Sequence, residues 1–278
     1  MDDSATRGAQ SGMLLGSPSP VPDRYAPQLL AAIERGPMRA DIGVVSEGAL
    51  PFAGHDLWNA HEFSWLDERG CPDQAVVQFL VPCISTKLVE SKSLKLYLNS
   101  LAQTSFSGRL EVLQCITADI GRVLDSDVKI EFLEPGHPNQ EYIQEPRGVC
   151  LEVDRPVITE YQTAPLLLIV DSSGPVVRET VFTRLFRCLC PVTGQPDSAW
   201  VQIEYTGCPI EHAGLLRYLV SYRQARGFHE QVVERIFMDL MRCCKPEVLT
   251  VTARFERRGG IDINPMRYWH PDTPGMGC

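Results

Sequence analysis

Several signatures are missing from this 278-residue chain. No apolar run reaches the ~20 residues that a membrane-spanning helix requires, so no membrane partner is expected. No Gly-x-Gly-x-x-Gly fingerprint follows a strand-like segment, so a dinucleotide is not expected to be held in the Rossmann manner. No Cys-x-x-Cys pair occurs among the ten cysteines. Cys188 and Cys190, on one face of an extended strand, would stand about 6.6 Å apart, too far to chelate comfortably. A metal site drawn from these two and Cys208, His212, His229 or the Cys243-Cys244 pair is therefore not expected. Positive charge is scarce as well: 26 Lys and Arg face 35 Asp and Glu, for a net charge of -9. Such a balance argues against a surface built for a polyphosphate backbone, and no direct nucleic-acid partner is expected.

What is present fits a folded protein. A hydrophobic content of 44% suffices for a core. The cysteines are scattered rather than framed as a disulfide scaffold, and the chain opens Met1-Asp2-Asp3-Ser4 without a signal-like segment. A reducing cytoplasm is the expected compartment, and most cysteines are expected to be small core residues.

The organisation reads as α+β with antiparallel sheets. Residues 1–48 form a lead-in whose first part is rich in Gly, Ser and Pro, and two modules follow, 49–170 and 171–278. In the first, Ala75 to Pro82 is an apolar run of strand length, Leu94, Leu96 and Leu98 alternate as a second strand, and Leu113, Ile116, Ile120 and Val123 recur at helical spacing. Val128, Ile130 and Phe132 alternate again, Val149 to Val153 is a further candidate strand, and the aromatics Phe52, Trp58, Phe63 and Trp65 read as a wedge packed on the core. The second module has the order ββααββ. Phe182, Phe186 and Cys188 share one face of a strand, Trp200 to Tyr205 is its partner, helices follow near Glu211 to Tyr222 and Phe228 to Cys243, and the strands Val248 to Glu256 and Ile261 to Ile263 flank Arg257-Arg258-Gly259-Gly260.

Chemistry concentrates in Cys190-Pro191-Val192-Thr193-Gly194-Gln195-Pro196-Asp197. Pro191 cannot donate to a sheet ladder, so the strand ends at Cys190, and Gly194 lets the loop bring Asp197 back towards the sulfur. An ionised thiol beside an acid suits addition of sulfur to a polarised carbon. Spacing alone favours a core cysteine and a turn aspartate and cannot overturn that reading.

Resemblance separates the two readings. This octapeptide, with Glu90-Ser91-Lys92-Ser93-Leu94-Lys95-Leu96-Tyr97 and Phe228-His229-Glu230, resembles the NADPH-dependent 7-cyano-7-deazaguanine reductases, the nitrile reductases of queuosine biosynthesis, in their long two-module form. Leu57-Trp58-Asn59-Ala60 and Arg257-Arg258-Gly259-Gly260 extend the likeness over nearly the whole chain. The resemblance implies two tandem tunnelling-fold modules, NADPH as cofactor, a small deazapurine substrate and a homodimer. It implies Cys190, Asp197 and His229 as catalytic residues, and Val89, Glu90, Ser91, His229 and Glu230 around the substrate. Ser91, Lys92, Arg258 and Gly259 are implied on the cofactor's phosphate side. In a strand, Lys92 and Lys95 point to opposite faces, so Lys92 is the one expected to reach the phosphate. A cysteine hydrolase, a metal-dependent cyclohydrolase-like enzyme on the same fold and a catalytically silent base-binding module are the competing functions.

Overall fold

The structure is a computed structural model that describes residues 22–45, 49–133, 145–153 and 155–272. The first residues of the lead-in, the Pro/Gly-rich loop expected near Pro135 and the end of the tail lie outside that set. The described residues of Met1–Met38, Asp56–Gln144 and Arg257–Ile263 form one compact unit, and those of Arg39–His55, Glu145–Glu256 and Asn264–Cys278 form another. Helices and largely antiparallel sheets bear out the α+β reading. Among the described residues, no helix is long and apolar enough to cross a membrane.

The first unit contains the short antiparallel pair β1 (Ala32–Glu34) and β4 (Lys87–Val89). Its larger strands are β2 (Ala53–Leu66), β3 (Pro72–Pro82) and β5 (Lys129–Leu133), in the order β5-β3-β2. The four aromatics read as a wedge belong to β2 and its approach, and all four are buried. Two helices cover this unit, α1 (Ser91–Leu101) and α2 (Arg109–Leu124). In α2, Val112, Ile116, Ile120 and Leu124 form the buried stripe, with Leu113 and Val123 partly buried at its flanks.

Helix α1 corrects the strand expected through Leu94, Leu96 and Leu98. Its N-terminus carries a strong local signal: the Glu90 carboxylate accepts the backbone N–H groups of Lys92 at 2.9 Å and Ser93 at 2.8 Å. Two of the four donors that a helix start leaves orphaned are thus satisfied by one side chain. Leu94, Tyr97, Leu98 and Leu101 then fall on one helical face and enter the core. Alternating leucines are compatible with either period over so short a run, and the cap decides for the helix.

The second unit contains β6 (Val149–Cys150), β7 (Val177–Leu189), β8 (Pro196–Gly207), β9 (Val248–Phe255) and β10 (Ile261–Trp269), the last shared with the first unit. The order is β10-β9-β8-β7-β6, antiparallel except for β6, which is only two residues long and runs parallel to β7. Helices α3 (His212–Val220) and α4 (His229–Cys244) follow β8 as expected. Helix α4 lacks a side-chain N-cap bond. That omission costs roughly 1 kcal/mol, whereas each of Val232, Val233, Ile236, Phe237 and Leu240, all buried, contributes about 1.5–3 kcal/mol. Tertiary burial therefore decides the helix. Cys71 and Cys243 are exposed, so not every remaining cysteine is a core residue.

One arrangement recurs in the two units. Tyr97 on α1 donates to Asp119 on α2 at 2.7 Å, and Tyr218 on α3 donates to Asp239 on α4 at 2.7 Å. One turn further, Ser100 and Ser221 each bond back to the tyrosine's carbonyl. These hydroxyls then accept the backbone N–H of Ala26 at 3.1 Å and of Ala164 at 3.2 Å. Each alanine opens a Pro-initiated 3-10 turn, Pro27–Leu29 or Pro165–Leu167. Burial pushes the Asp239 carboxyl and both phenols upwards, so these hydrogen bonds compensate real desolvation. Tyr218→Phe is expected to lower stability by about 1–3 kcal/mol, because it takes the donor at 2.7 Å from the buried Asp239 carboxyl, and Tyr97→Phe by less, because Asp119 keeps Tyr25 at 2.6 Å and Arg122 at 3.1 Å. Chemical denaturation of the two variants checks this.

Candidate active site

Cys190, Asp197, His229 and Glu230 all lie in the second unit. The hairpin from β7 to β8 places the first two: Cys188 is paired with Asp197 and Leu189 with Pro196. The loop closes through Cys190 N–H to the Gln195 carbonyl at 2.8 Å and Gly194 N–H to the Cys190 carbonyl at 3.0 Å. Gly194 has φ +68°, a region that L-residues with side chains rarely adopt.

The face on which Cys190 emerges is set further back. Thr183 pairs with Val201 but Phe186 pairs with Ala199, so three steps on β7 match two on β8. One extra residue is accommodated at Arg184-Leu185, both exposed. Such a β-bulge inverts the in/out alternation of everything beyond it. Before it, Val181 and Thr183 share the face of Ile203 and Val201; after it, Phe186 and Cys188 share the face of Ala199 and Asp197. The expectation that Phe182, Phe186 and Cys188 lie on one face is thereby corrected. Phe182 points the other way, where the Arg184 guanidinium sits 4.8 Å from its ring centre.

Glu152 stabilises the bulge. Its carboxylate accepts the Arg184 backbone N–H that the bulge removes from the ladder, and the Thr183 hydroxyl at 2.9 Å. The Cys150 thiol donates to its other oxygen at 3.2 Å. Partial burial alone would raise this carboxyl, but the bonds from Arg184, Cys150 and Thr183 outweigh it and hold the group below its ordinary range. Sequence reading missed Glu152, since nothing in a lone glutamate after a two-residue strand marks it as the acceptor for a bulge 32 positions away.

Three of the four expected side chains of this unit are close to fully buried. Cys190 is 3% exposed, Asp197 8% and Glu230 3%. His229 and Glu230 are the first two residues of α4, where the helix N-terminus favours a carboxylate. His229 Nε2 lies 3.3 Å from Asp197 Oδ2. Its ring stacks on Phe255 of β9, with centroids 3.8 Å apart and planes within 1°. The structure thus brings the expected acid and histidine into contact, buried, at the end of the sheet that carries Cys190.

The remaining expected site residues lie in the first unit. Val89 ends β4 and packs in the core, Glu90 caps α1, and Ser91 and Lys92 open that helix. Because this stretch is helical, Lys92 and Lys95 are three residues apart on one side, and the parity argument that set Lys95 aside does not apply. Arg258-Gly259-Gly260-Ile261 is a two-residue hairpin with φ +61° at Gly259 and +78° at Gly260, and the Arg258 N–H bonds to the Ile261 carbonyl at 2.9 Å. A Cβ on Gly259 would stand 3.3 Å from Lys95 Nζ. A pocket of about 190 Å³ opens here, lined among others by Glu62, Ser64, Lys95, Asn99, Gly259 and Gly260. Among the described residues, no group of three or more His, Cys, Asp or Glu could hold a metal ion.

Comparison with known proteins adds an independent line. Residues 21–132 match the family described as nitrile reductase, 7-cyano-7-deazaguanine-reductase N-term, and residues 196–272 match the family described as QueF-like protein. A protein of Verminephrobacter eiseniae, named NADPH-dependent 7-cyano-7-deazaguanine reductase, is 47% identical over 263 residues, spanning 92% of this chain and 93% of the relative. Proteins of the same name from Bordetella avium and Desulfotalea psychrophila are 46% and 43% identical, over 91% and 96% of this chain and 92% and 96% of theirs.

The bulge offers a direct test. Glu152→Ala leaves the displaced amide without its acceptor and is expected to cost about 1–2 kcal/mol, with Glu152→Gln, which keeps one acceptor oxygen, costing less. Denaturant midpoints of the two variants are the measurement.

Proposed function

This chain belongs to the NADPH-dependent 7-cyano-7-deazaguanine reductases, and we propose that Cys190 is the nucleophile of its nitrile reduction, Asp197 the acid, and His229 a catalytic partner that also meets the substrate. The reaction converts 7-cyano-7-deazaguanine to the primary amine 7-aminomethyl-7-deazaguanine, within queuosine biosynthesis. The observation that carries the assignment of roles is the buried Asp197–His229 contact on the sheet face that the bulge gives to Cys190.

A nitrile carbon is a weak electrophile. Attack by the Cys190 sulfur forms a C–S bond while Asp197 hands a proton to the nitrile nitrogen and recovers one from the thiol, which leaves a covalent thioimide. Bound NADPH supplies the hydride for each of the two reductions. After the first, which also takes up one proton, the C–S bond breaks, the sulfur leaving as thiolate and the carbon as a protonated imine; the second hydride turns that imine into the amine, and one proton restores the Cys190 thiol. A buried setting for Cys190 and Asp197 suits this sequence, because water would hydrolyse a free imine. Glu230 can accept twice and donate nothing, which matches the donor edge of a deazaguanine. Val89, Glu90 and Ser91 serve as further substrate contacts, Glu90 doing so while its carboxylate also caps α1.

The hairpin of the first unit fits the cofactor's phosphates. Gly259 and Gly260 expose backbone amides at positive φ, the space a Cβ would fill lies beside the Lys95 ammonium, and Arg258 supplies a guanidinium. Ser91, Lys92, Arg258 and Gly259 would hold NADPH there, and Lys95 joins them. The recurrent Tyr–Asp, Tyr–Ser and Ala–Pro arrangement supports two tandem tunnelling-fold modules, 49–170 and 171–278, each preceded by its Ala-Pro turn. The chain is read as a cytoplasmic homodimer that handles the free base and does not bind tRNA directly.

Two experiments test this reading. With 7-cyano-7-deazaguanine, the wild type is expected to consume two NADPH per amine and to yield an adduct of enzyme plus substrate by mass spectrometry, and Cys190→Ala neither; acid formed without NADPH would instead mark a hydrolase. Lys95→Met is expected to raise the KM for NADPH about tenfold or more with little change in kcat, as for loss of one charge-assisted contact. Steady-state kinetics with NADPH as the varied substrate decide it.

A further inference from the structure

Phe255 has no place in the chemistry above, yet it makes the closest ring contact to His229. A histidine that acts on a substrate needs a set ring orientation, and the usual device is a hydrogen bond from the second ring nitrogen to a carbonyl or carboxylate. His229 does not have one: its Nδ1 is buried and makes no hydrogen bond among the described residues. Asp197 Oδ2 meets the ring at Nε2, at 3.3 Å, and a contact at that edge does not by itself fix the plane of the ring. The flat face of Phe255, 3.8 Å away and parallel within 1°, removes that freedom.

Phe255 is itself held rigidly. The ring of Phe186 meets it edge-on at 6.2 Å and 87°. Its backbone N–H donates to the buried Asn264 side chain at 3.1 Å, at the end of β9 where the regular ladder stops. Phe186 lies beyond the bulge of β7, so the same inserted residue that sets the face of Cys190 also sets the ring that braces Phe255.

We propose that Phe255 is a positioning residue for the reductase reaction: it fixes the plane of the His229 imidazole so that Nε2 faces Asp197 and Nδ1 remains for the substrate. The inference rests on the role given to His229 in the preceding section. Phe255→Leu keeps apolar volume and loses the flat face, and is expected to lower kcat about tenfold with the KM for NADPH within about twofold of wild type. Phe255→Tyr, which keeps the ring, recovers the rate lost in Phe255→Leu. The imidazole ¹⁵N spectrum of His229 reports orientation separately from turnover, and its signals are expected to shift in Phe255→Leu and to return in Phe255→Tyr. Phe255→Met replaces Phe255→Leu should the latter not fold. An unchanged His229 spectrum and a wild-type rate in Phe255→Leu would overturn the inference, as would a Phe255→Tyr enzyme as slow as Phe255→Leu. A wild-type rate for His229→Ala would remove the role of His229 and the inference with it. That failure differs from failure of the inference alone, in which His229→Ala is slow and Phe255→Leu is not.

Discussion

Side chains alternate strictly along a β-strand, and one inserted residue in β7 decides which side of the sheet Phe186 and Cys188 face, and with them the approach to Cys190. Without the step at Arg184-Leu185, a strand whose Val181 and Thr183 face the helices would send Phe186, Cys188 and Cys190 to the opposite face, away from Asp197 and His229. The irregularity costs a ladder bond, and Glu152 supplies the acceptor that the displaced amide needs. Local disorder in the ladder is thus converted into a specific aim for one thiol.

The first unit solves a different problem with backbone amides. Glu90 commits its carboxylate to the first turn of α1, which pins the helix that carries Ser91, Lys92 and Lys95. Opposite Lys95, two consecutive glycines hold positive φ, a conformation that residues with a Cβ rarely adopt, and a Cβ on Gly259 would stand 3.3 Å from the Lys95 nitrogen. Lys95, Gly259 and Gly260 then line one small pocket together with Glu62. The pairing of Lys95 with the two glycines suits an anion held by charge and direction together, without the helix-and-glycine turn of a Rossmann site.

In the second unit Asp197 and His229 are organised by burial and by shape. Asp197 and Glu230 lie close to fully buried, and Glu230 and His229 open helix α4. Orientation comes from the flat contact with Phe255, a residue placed by β9 and braced by Phe186 and Asn264. The two units share a scaffold of helix pairs joined by a Tyr–Asp bond, while Cys190, Asp197 and His229, the proposed catalytic residues, stand in one of them.

The sequence by itself determined the α+β class, α2, α3 and α4 and the strands either side of Cys190, because apolar periodicity is local and strongly patterned, and the Cys190–Asp197, Glu90–Tyr97 and Phe228–Glu230 blocks made the family legible by resemblance. It misled at α1, where alternating leucines mimic a strand and Glu90 is legible as a cap only when the helix is assumed. The Tyr-x-x-Ser spacing at Tyr97 and Tyr218 was present to be read, but its partners Asp119 and Asp239 lie about twenty residues on. Tertiary structure alone decided the face of Cys190, the parallel stack of Phe255 on His229, the reach of Glu152 to Arg184, and the meeting of Lys95 with Gly259. Each depends on registers between segments distant in the chain, and a register shift of one residue, invisible in composition or period, reverses which side chains can touch.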